Sequence, residues 1–235
     1  MAPVFPDRRA GGRALAEKLG HLAGEDTVVL GLPRGGLPVA DEIARALGAP
    51  LDIVLVRKIG MPLNPELALG AIAGPEGGTL VLNDEMVSAY GIDADTIEAQ
   101  AAPSRAELAR RSALWGTRLT PGALKGKRVI LVDDGIATGA TMRAAIAAVR
   151  ADRPARVIVA TPVAPPDTIA AMAALADEVV CLATPAFFTA VGLHYASFPQ
   201  LDDDEVRRIL AGAERPDRPA KDGNGAGHSR PPPQR

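Results

Sequence analysis

The sequence has 235 residues, 47% of them hydrophobic, and its 26 Lys and Arg stand against 28 Asp and Glu, a formal charge of −2. This length and composition predict one globular domain with a large core. The near-neutral charge disfavours broad electrostatic binding to nucleic acid or to an anionic membrane, so any phosphate site must be local. The apolar runs are shorter than a membrane span or a signal-peptide core, and a cytoplasmic location is the default expectation.

Short apolar segments alternate with amphipathic helical patterns along the chain. This alternation predicts an α/β fold with three layers, in which helices cover both faces of a mostly parallel sheet of about five strands. The strands are predicted at residues 27–32, 51–56, 128–132, 156–161 and 178–182. The crossover helices are predicted at residues 37–47, 140–150 and 166–175.

An insertion near residues 60–126 interrupts the alternation. It contains a candidate hairpin formed by residues 67–73 and 79–82. A charged helical stretch follows at residues 93–115, where Pro103 predicts either two helices or a helix that begins at the proline. This segment is therefore predicted to be an insertion with helical structure.

From Arg215 onward the chain consists of Pro, Gly and polar or charged residues without apolar periodicity. Such a segment cannot offset the entropy of ordering by burial, which predicts a disordered tail at residues 215–235. The expected organisation is therefore one domain over residues 1–214, including the insertion, followed by this tail.

The most informative segment is an apolar strand that ends in two acids and a turn rich in Thr and Gly. Open parallel sheets bind ligands outside the carboxyl ends of their strands, so Asp133 and Asp134 are delivered to such a crevice, where they can accept hydrogen bonds from sugar hydroxyls. The following turn offers backbone N–H groups, two hydroxyls and a helix dipole to a phosphate dianion. Its residues are Ala137, Thr138, Gly139, Ala140 and Thr141.

A second glycine-rich turn follows the first predicted strand and carries a cation. Its glycines, Gly35 and Gly36, would leave backbone amides open to an anion, and Arg34 can donate two parallel hydrogen bonds to phosphate oxygens. A turn of this kind alone is weak evidence, because glycines after a strand often only end it. Together with the acidic strand end it predicts a second anion site.

The segment from Val129 to Thr141 resembles the phosphoribosyl pyrophosphate signature of the type I phosphoribosyltransferases, which has four apolar residues, two acids and then Thr-Gly-x-Thr. The resemblance covers about residues 7–210. It is strongest for uncharacterised bacterial phosphoribosyltransferases with Gly-Leu-Pro-Arg-Gly-Gly, Val-Arg-Lys and Asn-Pro-Glu motifs. It implies that Asp133 and Asp134 hold the ribose hydroxyls, while residues 137–141 hold the 5′-phosphate.

The resemblance also implies a pyrophosphate site formed by Arg34, Gly35 and Gly36 together with Arg57 and Lys58. In this family an Arg-Lys pair at the corresponding strand end precedes a flexible loop that covers the active site. The segment after Lys58 has the Gly and Pro content of such a mobile loop.

The implied reaction transfers the phosphoribosyl group to a nitrogen of an unidentified base or amine and releases pyrophosphate. Asp133, Asp134, Lys58 and Glu66 are the candidate catalytic residues, although a loop carboxylate such as Glu66 is normally only solvated. The resemblance implies Mg²⁺ as cofactor, held mainly by substrate and water. No direct protein ligand is predicted, and Asp133 or Asp134 is a candidate for contact through water.

The acceptor is not identified by the sequence. Ala137 stands where enzymes acting on 6-oxopurines carry an acidic base, which counts against guanine and hypoxanthine. Acceptor contacts in this fold come from a hood, for which residues 93–115 and 185–195 are candidates. The aromatic residues of the second segment are expected in the core rather than against a ring.

A non-catalytic protein that senses phosphoribosyl pyrophosphate or a nucleotide is the alternative function, because the phosphate motifs would be the same. Nucleic acid and membrane are not expected as partners. Dimers are common among the relatives, so a homodimer is a candidate assembly.

Overall fold

The computed structural model describes residues 4–62, 64–74, 78–117, 119–120 and 122–213. The strands are β1 Thr27–Gly31, β2 Leu51–Ile53, β3 Val56–Met61, β4 Asn64–Ala73, β5 Thr79–Leu82, β6 Arg128–Val132, β7 Arg156–Val163 and β8 Glu178–Ala183. The α-helices are α1 Arg8–Leu19, α2 Gly36–Leu47, α3 Asp84–Tyr90, α4 Ala94–Trp115, α5 Ala140–Ala151, α6 Pro166–Ala173 and α7 Asp203–Gly212.

The central sheet is parallel, with strand order β2-β1-β6-β7-β8. One face packs on α1 and α2, and the other packs on α5 and α6. Because both faces are covered, the central strands are apolar along their whole length rather than alternating. The predicted three-layer α/β fold is confirmed, and its five predicted parallel strands are all present.

A second, antiparallel sheet has the order β3-β4-β5, and its strands β4 and β5 lie in the predicted insertion. The predicted hairpin is confirmed as the pairing of β4 with β5. The prediction of one strand at residues 51–56 is wrong, because β2 ends at Ile53 and Val56 begins β3. The predicted mobile loop after Lys58 is also wrong: pairing of β3 with β4 continues the ladder through that segment.

Helix α4 is a single helix that continues through Pro103. Asp93 caps its first turn by accepting a hydrogen bond from the Thr96 amide at 2.7 Å. The prediction of a break at the proline is wrong. Buried residues before and after it, including Ile97 and Leu108, belong to one apolar cluster with α7 and the second sheet, and this packing offsets the lost backbone hydrogen bond.

Helices α1, α3 and α7 were not predicted. Helix α1 packs against α2 and against β7 and β8 of the central sheet, whereas α7 packs against α2 and α4. Among the described residues, no helix is both long and apolar enough to cross a membrane. The tail predicted at residues 215–235 lies outside the described residues.

Candidate functional site

The candidate site lies where the chain reverses its direction of progress across the central sheet. From β1 the chain moves outward to β2, and it later returns to the opposite side of β1 with β6, β7 and β8. Strands β1 and β6 are adjacent and in register from Thr27 opposite Arg128 to Gly31 opposite Val132. The turns that follow them therefore emerge side by side, at the switch point where open α/β sheets bind ligands.

The two acids that follow β6 lie in different surroundings. Asp133 is partly exposed, and its Oδ1 accepts a hydrogen bond from the Asp134 amide at 2.9 Å. Asp134 is only 8% exposed, and its carboxylate pairs with the Arg8 guanidinium at 2.7 Å. The sequence predicted that both carboxylates face a ligand crevice, whereas the structure shows Asp134 already engaged by a cation.

The pKa values of both acids are shifted upward. Burial raises the pKa of Asp133 well above its ordinary value, and the adjacent charge of Asp134 raises it further. Burial also raises the pKa of Asp134, while its hydrogen bond and ion pair with Arg8 act in the opposite direction. Two carboxylates this close resist ionising together, which makes the cation beside them important for their charge.

The turn from Ala137 to Thr141, termed the anion nest below, is the candidate phosphate site predicted from the sequence. Its carbonyl groups are occupied: the Thr168 hydroxyl donates to the Ala137 oxygen at 2.6 Å, and Arg143 donates to the oxygens of Thr138 and Gly139. Within the described chain, none of the five amides of this turn donates to a protein acceptor. These N–H groups therefore remain open to an anion at the first turn of α5.

Gly139 sets the backbone conformation at the centre of this nest. Its φ is 73°, in the left-handed region where a side chain is strained, and it immediately precedes α5. The remaining members of the nest, Ala137, Thr138, Ala140 and Thr141, are exposed. The Thr hydroxyls are thus available beside the open amides.

The turn after β1 differs from its prediction in two respects. The Gly36 amide is not open to an anion, because it donates to the Leu32 oxygen at 2.9 Å. Arg34 contacts the segment between β8 and α7, residues 184–202, termed the C-terminal segment below, where it donates to the Leu201 oxygen at 3.0 Å. Its guanidinium also lies 3.3 Å from the carboxylate of Asp203 at the start of α7. Its side chain is nevertheless 43% exposed, so the guanidinium stays accessible from the solvent.

The two glycines of this turn are required by close packing. A Cβ on Gly35 would lie 2.1 Å from Oδ2 of Asp134, and one on Gly36 would lie 2.5 Å from the Val132 oxygen. The β1 turn therefore rests directly on the acidic end of β6. This contact places the β1 turn beside the two acids at the switch point.

Arg57 and Lys58 lie on β3 of the second sheet rather than at the end of a central strand. Successive strand residues point to opposite faces, so the pair cannot act from one side. Arg57 shares its face with Ile59, which packs in the cluster around α4. Lys58 shares its face with Val56, which packs against the cluster containing α5, the helix that begins at the anion nest.

Glu66 lies in β4, and its side chain is outside the described residues. Its backbone position in a strand replaces the loop that the sequence predicted.

A cavity of about 280 Å³ opens beside the two turns. It is lined by Arg8, Arg34, Gly35, Asp134, Phe198, Gln200 and Leu201. Sequence reasoning missed Arg8 and the C-terminal segment that closes this cavity. A buried acid needs a cationic partner, but only the fold shows which of the 26 Lys and Arg provides it.

The candidate hood residues are distributed between core and surface. Tyr195 is buried, as expected, and Trp115 is buried with its indole N–H donating to Asp203 at 3.1 Å. Phe188 stacks on His194 with ring centres 5.3 Å apart. Phe187, however, is 86% exposed, so the expectation of a core position is wrong for this residue.

The fold and the site define an α/β domain whose switch point joins an open anion nest to a pair of acids. The chain belongs to the phosphoribosyl transferase domain family, whose model matches residues 8–197. This match confirms the family that the motifs of the sequence indicated.

Similar proteins support the same family. Two proteins of Mycobacterium tuberculosis, named "Putative phosphoribosyl transferase MT0597" (strain CDC 1551 / Oshkosh) and "Putative phosphoribosyl transferase Rv0571c" (strain H37Rv), are each 49% identical over 212 residues, which is 90% of this chain and 47% of each relative. The chain thus spans about half the length of these curated relatives. The crystal structure of TT1426 from Thermus thermophilus is 48% identical with a TM-score of 0.79, covering 90% of this chain and 99% of that chain.

Proposed function

We propose that this domain transfers the phosphoribosyl group of phosphoribosyl pyrophosphate to a nitrogen of a base or amine, with Mg²⁺ as cofactor and release of pyrophosphate. The observation that carries the proposal is the open nest from Ala137 to Thr141, directly after Asp133 and Asp134 at the end of β6. A pentose 5-phosphate offers the matching pair of groups, a phosphate dianion at one end and hydroxyls on the ring.

The nest supplies the phosphate end of this site. Its unpaired amides and the Thr138 and Thr141 hydroxyls are donors for a dianion, and the dipole of α5 adds a favourable field. Asp133 is the acid with exposed surface and would accept hydrogen bonds from the ring hydroxyls. Asp134 borders the cavity and would support the same hydroxyls from its fixed position.

The leaving pyrophosphate would lie on the side of the β1 turn. Arg34 belongs to that turn, and its exposed guanidinium would give up its contacts with Leu201 and Asp203 to bind phosphate oxygens. Lys58 is the better candidate of the two β3 cations, because it lies on the face that packs toward α5. Fixed donors that face developing charge contribute strongly to catalysis, since they need no reorganisation during the reaction.

The donor set of the site fits a Mg²⁺ ion that keeps most of its water. Mg²⁺ is commonly held by one or two carboxylates together with substrate phosphates, and the partly exposed Asp133 would contact it through water. Among the described residues, no group of three or more His, Cys, Asp or Glu is placed to hold a metal. When bound, the ion would neutralise charge on the pyrophosphate.

A pyrophosphate-release assay tests this function. The protein is incubated with Mg²⁺, phosphoribosyl pyrophosphate and a panel of nucleobases and small amines. Turnover with one class of acceptor is expected, and the Asp133→Asn/Asp134→Asn variant should lose it while keeping its circular dichroism spectrum. The Asp204→Asn variant, changed at an exposed side chain of α7, is the matched control and should retain activity.

Two results would contradict the proposal. Undiminished turnover in the double variant would show that the two acids take no part in the reaction. Tight binding of phosphoribosyl pyrophosphate without pyrophosphate release for any acceptor would identify a sensor instead of an enzyme.

A further inference from the structure

The Arg8 side chain is a buried cation that the site described above does not use directly. It projects from the first turn of α1, far from β6 in sequence, and is 8% exposed. Its Nε donates to Oδ2 of Asp134 at 2.7 Å, and its Nη1 donates to the Pro199 oxygen at 2.7 Å. Its guanidinium carbon lies 3.7 Å from the centre of the Phe198 ring.

We propose that Arg8 is the positioning residue of the sugar site, which fixes Asp134 in the orientation that accepts a ribose hydroxyl. This inference rests on the proposed function. It adds a residue on α1, outside the two motif turns, and it assigns α1 and the C-terminal segment a shared role in shaping the site.

Asp134 is held from several elements at once. Arg8 fixes its carboxylate from α1, and the Tyr195 hydroxyl donates to its backbone oxygen from the C-terminal segment. Gly35 presses against the same carboxylate from the β1 turn, with no room for a Cβ. A side chain restrained in this way is preorganised, and it binds a hydroxyl without first losing rotamer freedom.

The energetics favour a functional reason for this ion pair. Buried ion pairs add little to stability, because the desolvation of both charges offsets their attraction, and apolar replacements of the whole pair are often neutral or stabilising. Loss of one partner alone is costly, since it leaves a buried charge unpaired. The pair of Arg8 with Asp134 is thus better explained by the position that it gives the acid than by stability.

Arg8 acts through Asp134 rather than on the ligand. Two of its nitrogens already donate to protein oxygens, and one face of its guanidinium is covered by Phe198. Its Nη2 has no acceptor among the described residues, but the Arg8 side chain is only 9% exposed, so little of it faces a ligand. A change at Arg8 should therefore affect recognition of the sugar hydroxyls and leave the anion nest on α5 intact.

Two ligands separate these effects: ribose 5-phosphate, which has the ring hydroxyls and the phosphate, and inorganic phosphate, which lacks the ring hydroxyls. Their affinities are measured by calorimetry or by NMR titration for the wild type and for Arg8→Met. The variant should bind ribose 5-phosphate at least about tenfold more weakly, which corresponds to about 1.4 kcal/mol. Its affinity for inorganic phosphate should change less than about twofold. If Arg8 had a purely structural role, the variant would bind both ligands more weakly.

Arg9→Met is the matched control, because Arg9 is the next residue of α1 and pairs with Asp41 and Glu42 instead. It should leave both affinities unchanged. Arg8→Lys keeps the charge but lacks the planar guanidinium, so it should bind ribose 5-phosphate more tightly than Arg8→Met does and more weakly than the wild type. If Arg8→Met does not fold, the same two affinities are measured for Arg8→Lys.

The outcomes distinguish this inference from the proposed function. Wild-type protein that binds neither ligand would overturn the proposed function and the inference with it. If the wild type prefers ribose 5-phosphate to inorganic phosphate and both Arg8→Met and Arg8→Lys keep this preference, the inference about Arg8 would be overturned while the proposed function stands.

Discussion

Substitution of Gly35 by alanine tests the close contact between the two turns of the site. The backbone of Gly35 is compatible with alanine, with φ −62° and ψ −35°, so only space is lacking. The added Cβ would meet Oδ2 of Asp134 at 2.1 Å and its Cγ at 2.6 Å. Because this carboxylate is fixed by Arg8, the β1 turn has to move away, and overpacking of this kind costs about 1–3 kcal/mol.

Denaturant unfolding monitored by circular dichroism measures this cost. Gly20→Ala is the matched control, because Gly20 also has a helical backbone and nothing lies within 4 Å of its added Cβ. That variant should change the free energy of unfolding by less than about 1 kcal/mol. Mg-phosphoribosyl pyrophosphate binding should weaken in Gly35→Ala and not in Gly20→Ala.

A double-mutant cycle separates the clash from other effects. In an Arg8→Met/Asp134→Ala background, which removes both partners of the ion pair, the carboxylate that the new Cβ would meet is absent. Gly35→Ala should then cost little, leaving a coupling free energy of about 1 kcal/mol or more. An equal cost of Gly35→Ala in both backgrounds would refute the assigned contact.

The remaining predictions concern ligand binding and pH. Asp203→Asn should release Arg34 and tighten binding of Mg-phosphoribosyl pyrophosphate by up to about fivefold, because exposed ion pairs are worth at most about 1 kcal/mol. Thr141→Val should weaken binding of ribose 5-phosphate roughly tenfold, since a hydrogen bond to a charged phosphate is lost. Folding raises the pKa of Asp133, so its stability contribution is present at low pH and lost as pH rises through that pKa. The free energy of unfolding that Asp133→Asn gains over the wild type should therefore be larger at pH 8 than at pH 4. A tenfold difference in proton affinity between the folded and unfolded states corresponds to about 1.4 kcal/mol.

Each of these predictions has a control of the same type. Asp204→Asn leaves Arg34 untouched, and equal affinities for it and Asp203→Asn would contradict the release of Arg34. Thr79→Val changes an exposed threonine on β5 and should not affect binding. Asp177→Asn should show the opposite pH dependence, because a hydrogen bond from the Val157 amide lowers the pKa of Asp177.

The central sheet was predictable because each parallel strand is a short apolar run with helices on either side. Periodicity also identified the crossover helices α2, α5 and α6 within a few residues. It failed where tertiary contacts decide the structure. Pro103 remains inside α4 because packing of that helix offsets the missing hydrogen bond, and the segment after Lys58 forms a strand because it pairs with β4.

The acids and the nest were predictable from local sequence, because both lie within one strand and one turn. Their partners were not, because Arg8 and the segment around Leu201 are distant in sequence and have no local signal. The same limit applies to Gly36, whose amide is used by Leu32 within its own turn. Sequence motifs thus indicated the candidate site, while contacts between distant segments determine how each of its groups is bonded.

The most direct test of the central claim is the response of the backbone amides to ribose 5-phosphate in a ¹⁵N-labelled protein. The amide resonances of Ala137 to Thr141 are predicted to shift together on titration, while those of the Gly122 to Gly126 turn at the other end of β6 stay in place. A saturating titration that moves none of the nest amides, or that moves only distant ones, would contradict the account.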